Sequence, residues 1–442
     1  METDRTVVVG GGLAGLTAAA TLARAGRPVT LVEGAEHLGG RARSRHRLGY
    51  DLNLGPHALY RAPGGLDVLK GLGVPVRGRR PRLERAGVLA GGELVSATRH
   101  LRRSVNDRLR VARALGGLGA NDAALWAGQP TSAWIEHVTE DEAGRAVVAS
   151  VLRTATYAAD FDLLDAGAAT AQLRAAVHGV LYLHGGWSSL VDGLAAVIRR
   201  HGGEIVTGRA VGAVEHDHRV RAVHLTDGGA LPAAAVVVAV TDPRRTARLL
   251  QGDAAARMTA IADAAVPVRM AHLDVALRPL PSTRFPNLLG IDEPIYLNVP
   301  SSVAACAPDG GAVLHVGRYL RPGEEHLDHR ASLEAVLDRH QPEWRDHVVD
   351  ARYVPRSTVS GDHARVATRG TAERPGVDAV GVGGLALAGD WVGPVGMIGD
   401  ASILSGAAAA KAVADDMMVG VPRRIVGSLG DSLGAHGATA GS

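Results

Sequence analysis

Gly10, Gly12 and Gly15 stand in G-x-G-x-x-G spacing, and Glu33 follows about 20 residues later. Those residue types at that spacing suit a dinucleotide. Gly10 permits a tight turn, Gly12 lets a pyrophosphate approach the backbone, and Gly15 lets a helix pack closely on a strand. The N–H groups at the helix start, around Leu13 and Ala14, then face the phosphates. Glu33 would accept hydrogen bonds from a ribose hydroxyl, and its charge would repel a 2′-phosphate. A second group follows at Gly39-Gly40-Arg41, where glycines let the chain pass near the pyrophosphate and arginine supplies a forked cation.

The elements that must position these groups surround them. Val7, Val8 and Val9 form an apolar run into the glycine turn. Leu13 to Ala25 predicts a helix, with Leu16, Ala19, Ala20 and Ala23 at helical spacing. Gly26 stops it and Pro28 prevents its continuation, so Val29 to Glu33 reads as a second strand ending in the acid.

Composition sets bounds on the rest. The 442 residues suffice for two or three domains, and a hydrophobic fraction of 46% fits a soluble globular chain. Net charge is +3, supplied mainly by arginine, with Lys70 and Lys411 the only lysines. The basic residues read as scattered, without an aromatic-interleaved stripe, so no nucleic-acid partner is expected. Cys306 is the sole cysteine, which excludes an intrachain disulfide and a cysteine-cluster metal site; no metal is expected. The glycine motif begins almost at once, leaving no room for a signal peptide, and no apolar run approaches the roughly 18 residues of a membrane helix. The expected location is cytoplasmic, with peripheral membrane contact left open.

The stretch GGGLAG…VEGAEHLGGRARS resembles the FAD-binding start of the flavin amine oxidase and phytoene desaturase superfamily. That superfamily also holds protoporphyrinogen oxidases, hydroxysqualene dehydroxylases and the Rab GDP-dissociation inhibitors. The resemblance implies FAD as the cofactor and an α/β fold. A Rossmann-like FAD-binding domain (GR2 type) would carry an interleaved α+β substrate domain.

The resemblance also implies roles further along. Tyr50 to His57 is similar to the family segment that runs past the flavin ring, which places Gly55 and Pro56 by the isoalloxazine and His57 or Tyr60 toward the substrate. Val211 matches a valine whose backbone contacts the adenine. The stretch LALAGDWVGPVGMIGDASILSGAAAAKAVADDM resembles a second flavin motif. There Gly389-Asp390 ends a strand, and the Asp390 carboxylate would accept ribityl hydroxyls. Trp391, Met397 and Ile398 would touch the flavin, and a helix starting near Asp400 or Ala401 would oppose negative charge on the reduced ring. Its wording is most like the phytoene desaturase and hydroxysqualene dehydroxylase branch; amine oxidases usually have glutamate where Asp390 stands.

Taken in order, residues 1–75, 185–265 and 355–419 are expected to build the FAD-binding domain. Residues 76–184, mainly helical, and 266–354 would form the substrate domain, with 420–442 a flexible tail. Helices are predicted at Leu109 to Leu118, Ser132 to Val138, Glu142 to Tyr157 and Leu163 to Val177. Ser188 or Ser189 is expected to cap another. Strands are predicted at Val266 to Leu277 and Ile295 to Val316.

The reaction that the resemblance implies is hydride transfer from a substrate carbon to flavin N5, as in a dehydrogenase or desaturase acting on a hydrophobic, isoprenoid-like small molecule. His57, Tyr60, Arg269 and Trp391 are the candidate catalytic residues. Two alternatives remain: a flavin amine oxidase, and a redox-silent carrier of lipids or prenylated proteins like the GDP-dissociation inhibitors. Arg269 stands where many amine oxidases have lysine, and no aromatic lies between Arg356 and Asp390 where a cage residue is expected. An aromatic fraction of 3% leaves little material for stacking a planar ligand.

Overall fold

The structure is a computed structural model that describes residues 4–119 and 121–419. Strands Thr6–Val9, Val29–Val32 and Ala235–Val238 are buried at every position, the pattern of a sheet covered on both faces. They lie in a five-stranded parallel sheet, in the order 204–206, 29–32, 6–9, 235–238, 385–387. Successive side chains point to opposite faces. Val8, Leu31, Val237 and Ala386 face helices Leu13–Arg24, Ser188–Arg200 and Ile398–Val419. Val7, Val9, Val32, Val236 and Val238 face the antiparallel meander 211–216, 220–225, 230–232 and the helix Gly252–Ala264.

The small residues of the first and last helices have a packing reason. A Cβ on Gly406 would lie 2.3 Å from the Ala14 carbonyl oxygen, so the two helices touch almost backbone to backbone. That contact brings the last helix of the described chain onto the first.

A seven-stranded sheet forms the second layer, in the order 348–360, 268–277, 312–320, 295–298, 287–290, 87–90, 93–96. Along Val268–Leu277 the faces divide cleanly. Leu273, Val275 and Leu277 pack with Leu333, Val336 and Leu337 of the helix Arg330–His340. Met270, His272, Asp274 and Ala276 alternate with them and therefore take the opposite face. There Met270 meets Tyr296 and Tyr319, and Ala276 meets Tyr50 and Leu52. Helices Arg108–Gly116, Thr131–Val138, Glu142–Thr156 and Ala166–Val177 close one side around Val111, Trp134 and Leu152.

Several expectations need correction. Within the mainly helical region 76–184, Gly87–Ala90 and Glu93–Ser96 form a hairpin, not expected from the sequence, that extends the seven-stranded sheet. Helix Ala97–Ser104 was missed because it buries no residue and so shows no apolar stripe. Ile295 to Val316 divides into two strands, and Gly310-Gly311, the turn expected between them, directly precedes the second at Ala312; the 3₁₀ turn Pro300–Ser302, which ends the first early, was not expected. Neither Ser188 nor Ser189 caps its helix. Ser188 Oγ accepts from the Ser44 N–H at 2.8 Å, and Ser189 Oγ donates to the Gly186 carbonyl at 2.7 Å. The last helix starts at Ile398, two residues earlier than predicted. The expected tail, 420–442, lies outside the described residues.

Candidate active site

The three motif glycines do different work. A Cβ on Gly10, whose φ is +106°, would sit 2.5 Å from the Ala239 carbonyl oxygen. One on Gly15 would sit 1.9 Å from the Gly10 carbonyl oxygen. Both are glycine because of the fold. A Cβ on Gly12 meets nothing within 4 Å, although its own φ of −77° admits any residue. No atom of the described chain requires glycine there.

Gly12 borders a space of about 80 Å³ together with Leu13, Ala14, Gly39, Arg41 and Asp390. No side chain caps the helix that starts there, and its N-terminal end borders this space. The Gly39 N–H donates to the Gly11 carbonyl at 2.7 Å, which brings the Gly39-Gly40-Arg41 turn onto the first glycine turn. Glu33 is held at the same place. Its carboxylate accepts from the Gly11 N–H at 2.6 Å and the Ala35 N–H at 2.8 Å.

Arg41 Nη1 donates to Asp390 Oδ2 and to the Val359 carbonyl, each at 2.7 Å. Asp390 is 1% exposed and also accepts from the Gly361 N–H at 3.2 Å. Its other oxygen, Oδ1, is buried without a hydrogen-bond partner. A buried carboxylate oxygen left bare is costly, so Oδ1 is placed for a donor that the chain does not supply.

A cavity of about 600 Å³ adjoins this space. The two share Arg41, His57, Trp187, Thr241, Val359 and Ile398 as walls. Its lining is mainly apolar, with four of the chain's seven tyrosines, Tyr60, Tyr157, Tyr182 and Tyr296. Burial pushes the phenols up, Tyr60 to about 12, so all four stay neutral. Their hydroxyls are tied down: Tyr60 donates to the Ala155 carbonyl, Tyr157 to the Pro56 carbonyl and Tyr182 to Asn287 Oδ1. Among the described residues Asp400 is the one carboxylate on the wall, and no lysine reaches it. Burial, with Asp67 nearby, lifts the Asp400 carboxyl to about 6.

His57 stands where the two spaces meet. Its Nδ1 lies 2.9 Å from the Gly55 carbonyl, so Nδ1 carries the proton and Nε2 the lone pair. Its ring meets Trp187 edge-on, with centroids 4.9 Å apart. Burial pushes the imidazole down to about 4, so His57 is neutral in ordinary buffer. Behind the Gly55 turn, Asp274 Oδ1 binds His272 Nδ1 at 3.1 Å and His315 Nδ1 at 2.7 Å. Burial opposes ionisation of Asp274, yet the two imidazoles hold it well below the usual carboxylate range. The His272 ring lines the cavity wall and packs against Gly55.

Comparison with known proteins places this geometry. The sequence profile of flavin containing amine oxidoreductases matches residues 13–251, more than half of the chain. The chain belongs to that family. It is an FAD-dependent oxidoreductase. An L-amino-acid oxidase of Crotalus adamanteus is 49% identical over 55 residues, 12% of this chain and 11% of that protein. The chain therefore spans only about a tenth of the length of the curated relatives it matches. Solved structures agree over nearly the whole chain. An oxidoreductase from Methanosarcina mazei has a TM-score of 0.75 at 22% identity, covering 92% of this chain and 100% of its own. Cyclohexylamine oxidase from Brevibacterium oxydans has a TM-score of 0.63 at 18% identity, covering 94% and 100%. These structural likenesses show the fold.

The flavoenzyme's sequence-predicted residues fall into three groups. Gly12, Leu13, Ala14, Gly39, Arg41, Gly389, Asp390 and Ile398 line the smaller space, and Gly55, Pro56, His57 and Tyr60 line the cavity. Gly10 and Gly15 shape the turn from behind, with Gly40 beside Gly12. The others are turned away. Trp391 is buried in the core beneath the parallel sheet and donates Nε1–H to the Val240 carbonyl at 3.2 Å. Arg269 lies 3.6 Å from Glu325 and off the cavity wall. For Val211 and Met397 the expectation concerned the backbone; their side chains pack beside the core under the sheet and with the helices around Trp134, respectively.

Sequence reasoning missed Thr241 and Val359, which line both spaces, and Tyr182 and Tyr296, which join Tyr60 and Tyr157 at the cavity. Thr241 had a signal, because it directly follows the buried Val236 to Val240 run. Tyr182 and Tyr296 had none, since they come from segments far apart in the chain.

Proposed function

We propose that this flavoenzyme oxidises an apolar small molecule by hydride transfer from a substrate carbon, in the manner of a desaturase or dehydrogenase. The observation that carries the reading is the junction of a glycine-lined space with a larger, mainly apolar cavity that holds no lysine. The cofactor cradle is assigned from the same junction. Gly12 and the uncapped helix start take the pyrophosphate, Glu33 a ribose, and Asp390 Oδ1 a ribityl hydroxyl. Gly39 to Arg41 flank the phosphates, while Gly55, Pro56 and Ile398 border the ring.

Bound FAD supplies the two-electron acceptor for a hydride. The chain itself does the positioning. The aliphatic and tyrosine walls hold the substrate and keep water out, which fixes the reacting carbon. His57 offers a neutral Nε2 lone pair at the junction. With the imidazole near 4, Nε2 accepts a hydrogen bond and stays unprotonated in ordinary buffer, while Nδ1 keeps its proton toward the Gly55 carbonyl.

A second reading, amine oxidation, is favoured by one wall residue: Asp400, ionised above about pH 6, suits an ammonium group. Anaerobic mixing separates the two. Loss of the oxidised flavin absorption with an isoprenoid polyene precursor, and none with a panel of amines, supports the first reading. Bleaching by amines alone would replace it with the second.

A further inference from the structure

We infer that the arginine-rich segment 77–113 docks the enzyme on an anionic lipid surface and sets the cavity mouth against it. The chain's basic residues are not scattered. Eleven arginines lie between positions 77 and 113, against three acids, Glu84, Glu93 and Asp107. Eleven less three leaves an excess of eight positive charges, where the whole chain carries only +3.

All eleven arginines are exposed. Among the described residues only Arg110 has an acid within ion-pair distance, Asp107 at 3.5 Å. Arg85 and Arg108 donate to the carbonyls of Thr283 and Arg102, but none of the eleven is buried and ten carry a charge with no acid beside it. Helix Ala97–Ser104, with Arg99, Arg102 and Arg103, buries no residue at all.

The same segment builds one side of the cavity mouth. Pro81, Leu83 and Ala86 line the cavity from it, and Val177 and Val180 line it from a helix end and the strand that follows. Leu83 is 67% exposed and Val177 52%, so apolar side chains stand in solvent at the rim of an apolar cavity. Leu109, on the arginine-bearing helix Arg108–Gly116, is 76% exposed.

Positive charge with exposed leucines at the rim matches a lipid headgroup layer with its acyl boundary beneath. A single-stranded nucleic acid would be met by aromatic stacking platforms. Residues 77–119 contain no Phe, Tyr or Trp. Among the described residues no helix is long and apolar enough to cross a membrane, so the contact is peripheral. The inference rests on the apolar-substrate reading for its purpose, since docking delivers a lipid-dissolved substrate to the mouth. It does not rest on that reading for its test.

The test is sedimentation of the FAD-loaded full-length protein with vesicles of neutral phosphatidylcholine, and with vesicles in which part of that lipid is phosphatidylglycerol. Binding to the anionic vesicles, weakened by salt, is expected. Arg79→Gln, Arg80→Gln and Arg82→Gln together should weaken it by about fivefold for each arginine removed. Leu83→Ser should weaken it further with charge unchanged. All four positions are exposed, and undiminished bound-flavin absorption confirms that each variant is folded. Equal binding to both vesicles, or binding to neither, overturns the proposal. So does capture by a single-stranded RNA in preference to the vesicles. Vesicle binding without oxidation of any apolar compound would sink the reaction proposed above and leave the docking surface standing; oxidation without vesicle binding would do the reverse.

Discussion

Arg41 and Asp390, 349 positions apart in the chain, meet at 2.7 Å. The contact ties the first glycine-rich motif to the last and gives a carboxylate only 1% exposed its one ion-pair partner among the described residues. Removing the cation leaves Asp390 buried beside a single backbone donor. Arg41→Met should lower the stability of FAD-free protein by about 3 kcal/mol, read from urea unfolding, and reduce the FAD retained on purification. An unchanged unfolding midpoint would show that the pair does not hold the two motifs together.

Gly12 and Gly15 should separate cofactor binding from folding. Gly12→Val projects into open space, so the FAD-free variant should melt like wild type yet emerge colourless. Gly15→Ala drives a methyl group to 1.9 Å from the Gly10 carbonyl oxygen, so it should lose stability as well as flavin. A cost of about 1–3 kcal/mol is expected for that overpacking, measured by denaturant titration. Full FAD occupancy in Gly12→Val would refute the assigned pyrophosphate position.

Asp274 accepts from two buried imidazoles at once. Asp274→Ala removes the acceptor of both Nδ1–H groups and opens a void, which should cost about 2–5 kcal/mol. The Gly55 turn rests on the His272 ring, so the bound-flavin spectrum should shift in any fraction that still folds. A variant as stable as wild type would show that these histidines find other partners.

Stability should respond to pH in two opposed ways. Burial holds His363 at about 4, whereas the unfolded chain protonates it near 6.5. Its contribution is therefore whole above pH 6.5 and lost as pH falls towards 4. His363→Gln should flatten that loss by about 3 kcal/mol across the window. Asp400 is lifted from 3.8 to about 6, so its contribution is whole below pH 3.8 and lost as pH rises through 6. Asp400→Asn should thus gain on the order of 2 kcal/mol at neutral pH and nothing at pH 4. Denaturant midpoints measured across pH for both variants check the two signs.

Much of the cofactor side was legible from residue order, because a strand, a glycine turn, a helix and an acid lie within some thirty positions. Gly10, Gly12, Gly15 and Glu33 needed only that local unit to be placed together. The spacing could not say which glycine answers to the fold and which to a ligand. That depended on Ala239 lying behind Gly10 and nothing lying before Gly12.

The reaction side was less legible. Aromatic residues make up only 3% of the chain, which argued against an aromatic wall, yet Tyr60, Tyr157, Tyr182, Trp187 and Tyr296 converge on one cavity. Trp391 follows directly after Asp390, and the backbone there turns its ring down to Val240. His272 and Asp274 are a polar pair on one face of a strand, a pattern that sequence shows, but their partner His315 comes from the neighbouring strand.

Sequence alone determined the dinucleotide motif and, through resemblance, FAD, because those groups sit at short, regular spacings where local geometry decides position. Tertiary structure decided the rest. Only side chains from distant segments, packed against one another, make a cavity, pair Arg41 with Asp390, or bury Trp391 beside the flavin motif that bears it.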